Sequence, residues 1–235
     1  RHRRQAPMTS HPHPRAEVPR GTKVTFCVRG AASPLLANIY MNRFLKYWHF
    51  SGRGEAFRAH IINYADDFVI LSQRSAAEAL AWTRAVMTKL GLTINEAKTS
   101  VKNARTERFD FLGYTFGPHY YQRTGARYNG ASPSEKSVKR IKLKVNEILV
   151  PGNMKPWPEV RDQLNQLLRG WSAYFCHGTK ARAYKAVDTH VLDRVRHFLS
   201  RRHKVQSRGT RRFPFDMIYR ELGVLPLDYR RVPSS

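Results

Sequence analysis

The sequence predicts an α+β protein: a mixed first half in which short antiparallel strands pack with helices, then a helical second half. Three observations carry this. An amphipathic run at 33–48 precedes two β-rich runs that flank a pair of acids, "HIINYADDFVILS" at 60–72. Gly125, Gly130 and Pro133 cluster near 125–135 and mark a boundary. Beyond them, long stretches repeat apolar residues at helical spacing. The expected organisation is a flexible basic tail at 1–20, a mixed domain at 21–128 and a helical domain with a basic C-terminal segment at 129–235. With 235 residues, 41% of them hydrophobic, the chain is long enough to bury real cores.

Each element follows from its residues. The opening "RHRRQAPMTSHPHPRAEVPR" is rich in Pro, His and Arg without any period, and reads as a tail. "SPLLANIYMNRFLKYW" offers Ser33 as an N-cap and Pro34 at the first helical position, then spaces Leu36, Ile39, Tyr40, Phe44 and Tyr47 along one face. A loop, "SGRGEAF", leads into the acid-bearing stretch, whose β-forming halves around a two-acid turn predict a hairpin with the acids at its tip. "SAAEALAWTRAVMTKLG" opens with a capping box, Ser75 and Glu78, and closes on Gly91 at the C′ position. "LTIN" and "RFDFLGYTF" read as short strands on either side of the basic stretch "EAKTSVKNART".

In the second half, "SPSEKSVKRIKLKVNEILV" gathers Val138, Ile141, Val145, Ile148 and Leu149 on one helical face, with Lys136, Arg140 and Lys144 toward the other. After the turn "PGNMKPWP", Val160, Leu164, Leu167, Leu168, Trp171 and Phe175 form a second stripe, expected to be core. Tyr184, Val187, Val191, Val195 and Phe198 form a third. No internal repeat is present.

Charge narrows the function class. Against 17 acids stand 42 Lys and Arg, giving +25 and a pI near 10.8, which points to a polyanionic partner, nucleic acid first. Residues 1–130 hold 20 basic and 8 acidic side chains and residues 131–235 hold 22 and 9, so both halves are expected to meet it. Cys27 and Cys176 lie far apart, which supports neither a disulfide framework nor a structural zinc site and suggests a reducing compartment. No apolar run reaches the roughly 18–20 residues that span a bilayer, so no membrane partner is expected. None of the 10 His residues has metal-ligand spacing.

Asp66 and Asp67 raise the sharpest question, because adjacent carboxylates repel and stability alone does not call for them. A divalent cation removes the conflict. Mg²⁺ takes hard oxygen ligands, commonly one or two carboxylates with substrate phosphates, and paired ions roughly 4 Å apart assist phosphoryl transfer. Taken alone, Asp-Asp is more often ordinary turn chemistry than a metal site.

The neighbours decide, since "NYADDFVIL" resembles the Tyr-x-Asp-Asp box of reverse transcriptases, and the chain resembles the group II intron reverse transcriptase–maturases over about residues 21–205. "SPLLANIYMNRF" is similar to the helix after the template-contacting loop. "GLTINEAKTSV" is similar to the next motif, whose lysine is Lys98 here. "FDFLGYTF" resembles the primer-grip region, with Phe111, Leu112 and Gly113 in its turn. "PSEKSVKRIKLKV" and "LNQLLRGWSAYF" resemble the RNA-binding thumb, or maturase, domain. The resemblance implies a partial right-hand polymerase palm, an antiparallel sheet with packed helices, followed by an α-helical thumb/maturase domain. It implies RNA-directed DNA synthesis with Mg²⁺ held by Asp66 and Asp67. It places Tyr64, Ala65 and Lys98 near an incoming deoxynucleoside triphosphate. It makes intron RNA and a DNA primer or target the partners, in a bacterial cytoplasmic ribonucleoprotein. Lys139, Arg140, Lys144 and Arg169, with Arg201, Arg202 and Lys204 from the block "RRHKVQSRGTRR", are the expected RNA contacts.

Two departures bear on activity. The family's third aspartate lies upstream of the "SPLLANIY" helix, yet residues 1–28 hold one acid, Glu17, and no Asp. The Gln-Gly-Gly or Gln-Gly-Ala loop is replaced by "CVRGAASP", with Val28 at the glutamine and Arg29 near the first glycine. A side chain there obstructs the close backbone approach that glycine permits. The expectation is a truncated or decayed reading frame, or one piece of a split protein with a complementing N-terminal half. The alternatives are a non-polymerising RNA-binding maturase module or an inert remnant.

Overall fold

A computed structural model of the chain describes residues 32–228, apart from Asp66, Arg74, Gln122 and Arg208. It is α+β and divides into two compact units, one up to Thr93 and one from Ile94 onward.

The first unit contains α1 (Ala32–Phe50), α2 (Arg53–Ala56), β1 (Ala59–Tyr64), β2 (Asp67–Ser72) and α3 (Ala76–Lys89). Helix α1 begins at Ala32, so Ser33 lies inside the helix instead of capping it. The "SGRGEAF" loop gains one short helical turn, α2, entered through Gly52 at φ 65°. β1 and β2 pair antiparallel from Ala59 opposite Ser72 to Tyr64 opposite Asp67. Because side chains alternate along a strand, Ala59, Ile61, Phe68 and Ile70 share the inner face. There Phe68 meets Phe44 at 5.3 Å between ring centroids, and Trp48, Phe57 and Trp82 complete an aromatic core. The other face carries Ile62, Tyr64 and Leu71, all exposed.

The expected capping box at Ser75 and Glu78 does not form. Ser75 makes no side-chain cap bond, and its own N–H donates to Ser72 Oγ at 3.2 Å, so a strand-end serine ties the helix entry. At the other end Gly91 (φ 72°) stands at C′ as expected. Its N–H reaches the Thr88 carbonyl and that of Leu92 the Met87 carbonyl, the paired bonds of a Schellman motif.

The second unit contains a three-stranded antiparallel sheet, β3 (Phe109–Phe111), β4 (Tyr114–Tyr120) and β5 (Arg127–Pro133), then α4 (Glu135–Ile148), α5 (Trp157–Tyr174) and α6 (Ala181–Arg202). "LTIN" is not a strand, and "RFDFLGYTF" is a hairpin instead of one strand. β5 occupies the Gly- and Pro-bearing stretch read as a boundary; its glycine and its terminal proline hide the strand pattern. The three helical stripes are core as expected, with Val145, Val160, Leu164, Leu168, Val187, Val191 and Val195 all at 0% exposure.

The stretch from Phe213 to Leu227 packs against the helices. Phe213, Ile218, Tyr219, Val224 and Leu227 join the helical core, and Met217–Glu221 forms a π-helical turn. Buried Asn165 holds this segment by accepting the Leu225 N–H and donating to the Gly223 carbonyl, each at 2.8 Å. Buried Asp188 accepts the N–H groups of Leu227 and Asp228, both at 2.9 Å. No described helix is long and apolar enough to cross a membrane.

Candidate functional site

The β1–β2 register leaves a two-residue loop, Ala65 and Asp66, closed by the Tyr64–Asp67 pair. Ala65 adopts φ 52°, the left-handed region that two-residue hairpin turns of the I′ type require. For a residue with a Cβ this conformation costs about 1–2 kcal/mol, a local strain that the paired strands must overcome. Asp67 opens β2 with its side chain exposed, and Tyr64 beside it is 64% exposed. Asp66 lies outside the described residues, as do Val28, Arg29 and the tail. Just inside the turn, the side-chain oxygen of Asn63 is buried with no hydrogen-bond partner among the described residues. Two carboxylates adjacent in sequence supply the hard oxygen donors that suit Mg²⁺. Among the described residues no group of three or more His, Cys, Asp or Glu side chains could hold a metal.

Lys98 belongs to the second unit, exposed in a turn where its N–H donates to the Asn95 carbonyl at 3.0 Å. Phe111, Leu112 and Gly113 form the β3–β4 turn, another two-residue loop with both residues at positive φ, 49° and 78°. This turn is clamped. The Ser134 N–H and Ser137 Oγ both donate to the Gly113 carbonyl at 2.9 Å, from the start of α4. The Tyr174 hydroxyl donates to the Leu112 carbonyl at 2.9 Å, from the end of α5. The Tyr114 hydroxyl returns the tie, donating to the Tyr174 carbonyl at 2.7 Å, and burial raises its phenol above the ordinary range. Gly113 leaves little room for a side chain, since a Cβ would sit 3.0 Å from Ser137 Oγ and 3.2 Å from Phe175 Cζ. Helices that look remote in sequence thus fix the conformation of a strand turn.

The expected RNA-facing cations fall on three places of the second unit. Lys139, Arg140 and Lys144 are exposed on α4, away from buried Ile141 and Val145. Arg169 lies on the wall of an open groove of about 810 Å³, with Ser172, Cys176, Lys180, Tyr184 and Leu227. Arg201 and Arg202 end α6, and Lys204 follows at φ 51°. Of these Arg202 is partly committed to structure, donating to the Met154 carbonyl at 3.3 Å and lying over the Phe198 ring at 5.7 Å.

Sequence reasoning missed the groove, because residues 225–228 that complete it carry no periodic signal. It also passed over the tyrosines at the far end of the β4–β5 hairpin, Tyr120 and Tyr121, whose adjacency next to Arg123 was the available clue.

Residues 28–116 match the family model for reverse transcriptase (RNA-dependent DNA polymerase). Residues 138–213 match the model for the group II intron, maturase-specific domain. No curated protein matches the chain. A reverse-transcriptase segment holding the aspartate hairpin, followed in order by a maturase-specific helical segment, places this chain in the family of group II intron reverse transcriptase–maturases.

Proposed function

We propose that the chain works in RNA-directed DNA synthesis for a group II intron, with residues 21–128 as part of a polymerase palm and residues 129–235 as a thumb/maturase domain that grips intron RNA. The observation that carries this reading is the tight hairpin that sets Asp67 exposed at the start of β2, inside the segment similar to reverse transcriptases. The proposed boundary near 128 falls in the stretch between the two matched segments, 117–137, and inside β5.

Asp66 and Asp67 would hold Mg²⁺, which supplies neutralisation of the charge that builds on a deoxynucleotide's phosphates. The protein's own share is positioning. Tyr64 packs beside the nascent pair, and Ala65, at φ 52°, sets how the backbone leaves β1. Lys98 offers a cation for the triphosphate. The clamped turn of Phe111, Leu112 and Gly113 steadies the primer strand, its backbone held by Ser134, Ser137 and Tyr174. Lys139, Arg140, Lys144, Arg169, Arg201, Arg202 and Lys204 meet phosphates of structured RNA, where shape and charge govern affinity. A bacterial cytoplasmic ribonucleoprotein is the setting this reading entails.

A second reading, an RNA-binding maturase module that does not polymerise, is favoured by one feature: the unit that holds the maturase-specific match also carries Lys139, Arg140, Lys144, Arg169, Arg201, Arg202 and Lys204. Mg²⁺-dependent primer extension on an RNA template separates the two. The first reading expects extension, by the chain alone or with a complementing N-terminal half, that disappears in Asp66→Asn/Asp67→Asn. Extension that survives the double substitution would contradict it, and RNA binding without extension under either condition would establish the second reading.

A further inference from the structure

We propose that the end of the β4–β5 hairpin is a stacking platform for unpaired nucleotides of RNA, formed by Tyr120, Tyr121 and Tyr128 with Arg123 and Arg127; it rests on the RNA-binding reading above. The strands pair His119 with Tyr128 and Tyr120 with Arg127. Cross-strand partners share a face, so the hairpin end presents a tyrosine beside an arginine on one side and a His119–Tyr128–Tyr121 cluster on the other.

That cluster is built and held. Tyr128 packs against His119 at 5.7 Å and against Tyr121 at 4.4 Å between ring centroids. Its hydroxyl is 2.7 Å from Thr179 Oγ1 in the α5–α6 connection, which anchors the hairpin to the maturase-specific segment. Room for the rings comes from Gly130, where a Cβ would lie 2.8 Å from the Tyr128 ring and 3.2 Å from the His119 ring. Tyr121 therefore leans on a fixed ring and still keeps 56% of its surface exposed, while Tyr120 keeps 60%. Exposed aromatic rings on a rigid hairpin offer π-faces to bases at small entropic cost.

Charge selects the occupant. From Phe111 to Ser134 the chain carries no Asp or Glu, while Arg123 and Arg127 are exposed. Neither arginine pairs with a carboxylate among the described residues. An apolar protein partner would need neither arginine, and duplex RNA hides its base faces, so unpaired RNA fits both features. Residues 117–137 fall within neither matched segment, so this surface is not described by either family model.

The test uses the purified 235-residue chain and fluorescence anisotropy with labelled single-stranded oligouridine and an RNA duplex of equal length. Tyr120→Leu/Tyr121→Leu should weaken single-strand binding by about 10-fold or more and leave duplex binding within about twofold. Tyr120→Phe/Tyr121→Phe should restore single-strand binding, which a merely structural role for the hydroxyls would not predict. Unchanged single-strand affinity in the Leu pair, alongside a loss in Lys139→Gln/Lys144→Gln, would overturn the platform and leave the RNA-binding reading standing. Oligodeoxythymidine competing as well as oligouridine would overturn the assignment to RNA. Wild-type chain that binds neither RNA would overturn both.

Discussion

The two units distribute structure and chemistry in opposite ways. The first carries the acid-bearing hairpin on two strands over a smaller set of described buried side chains, Met41, Phe44, Trp48, Phe57, Ala59, Ala79, Thr83, Val86 and Met87, and leaves Ile62 and Leu71 of the hairpin's outer face exposed. The second has a continuous core from Ile141 to Leu227 and spreads its cations around the outside. A two-stranded sheet packed on one face is marginal by itself, whereas a three-helix core with a laced C-terminal segment is not. The cations proposed to meet RNA thus sit on the unit with the larger described core, and Asp67 sits on the other.

Hydrogen exchange should show the largest difference. Amides of Ile61–Asn63 and Phe68–Ile70 should exchange at least about 100-fold faster than those of Val187–Val195, since local opening follows the thinner core. Equal protection would erase the contrast. Next in size is Leu164→Ala, which empties a fully buried site of α5 and should cost roughly 2–5 kcal/mol by denaturant unfolding. A loss below about 1 kcal/mol would mean that the second core repacks easily.

The two positive-φ turns sharpen the comparison. Gly113→Ala forces a side chain against Ser137 and Phe175 at φ 78° and should cost about 1–3 kcal/mol. Ala65→Gly relieves a left-handed alanine but frees the unfolded chain, so its effect on stability should stay within about 1 kcal/mol. Reversal of that order would show that the first unit's turn is the more tightly held.

The smallest effect is a pH dependence. Burial lowers the pKa of His190, whose ring nitrogen lies within hydrogen-bond distance of the Lys142 carbonyl and the Asn146 side chain; the bond to that carbonyl opposes the shift, the nearby Lys142 and Arg194 charges add to it, and Asp193 opposes it. The unfolded chain therefore takes up this proton first. Stability should be full above the ordinary value of 6.5 and fall as pH drops through it toward the lower folded value. Thermal melts should show a steeper acid-side loss for the wild type than for His190→Gln, and equal slopes would contradict this.

Much of this was legible from residues alone where periodicity is strong. The α4, α5 and α6 stripes are the core, and Asp67 opens the second strand of a hairpin. What escaped is set by tertiary context. β5 is written in Gly and Pro and makes sense only against β4. Ser75 has the residues of a capping box, yet Ser72 from the preceding strand takes its N–H. The segment 213–228 lacks a period because polar anchors, Asn165 and Asp188, position it. The Tyr174 bond to the Leu112 carbonyl joins residues 62 positions apart, a pairing no local pattern encodes.

The central claim is that RNA binding belongs to the second unit and does not depend on the aspartates. Its most direct test is the affinity of the chain for intron-like structured RNA across a salt series, measured for wild type, Asp66→Asn/Asp67→Asn and Lys139→Gln/Arg140→Gln/Lys144→Gln. The account predicts the same affinity and salt slope for wild type and the Asn variant, and weaker binding with a shallower slope for the Gln variant, because each lost phosphate contact releases about one counterion fewer. Binding that collapses in the Asn variant and survives in the Gln variant would contradict it and place the RNA grip on the hairpin.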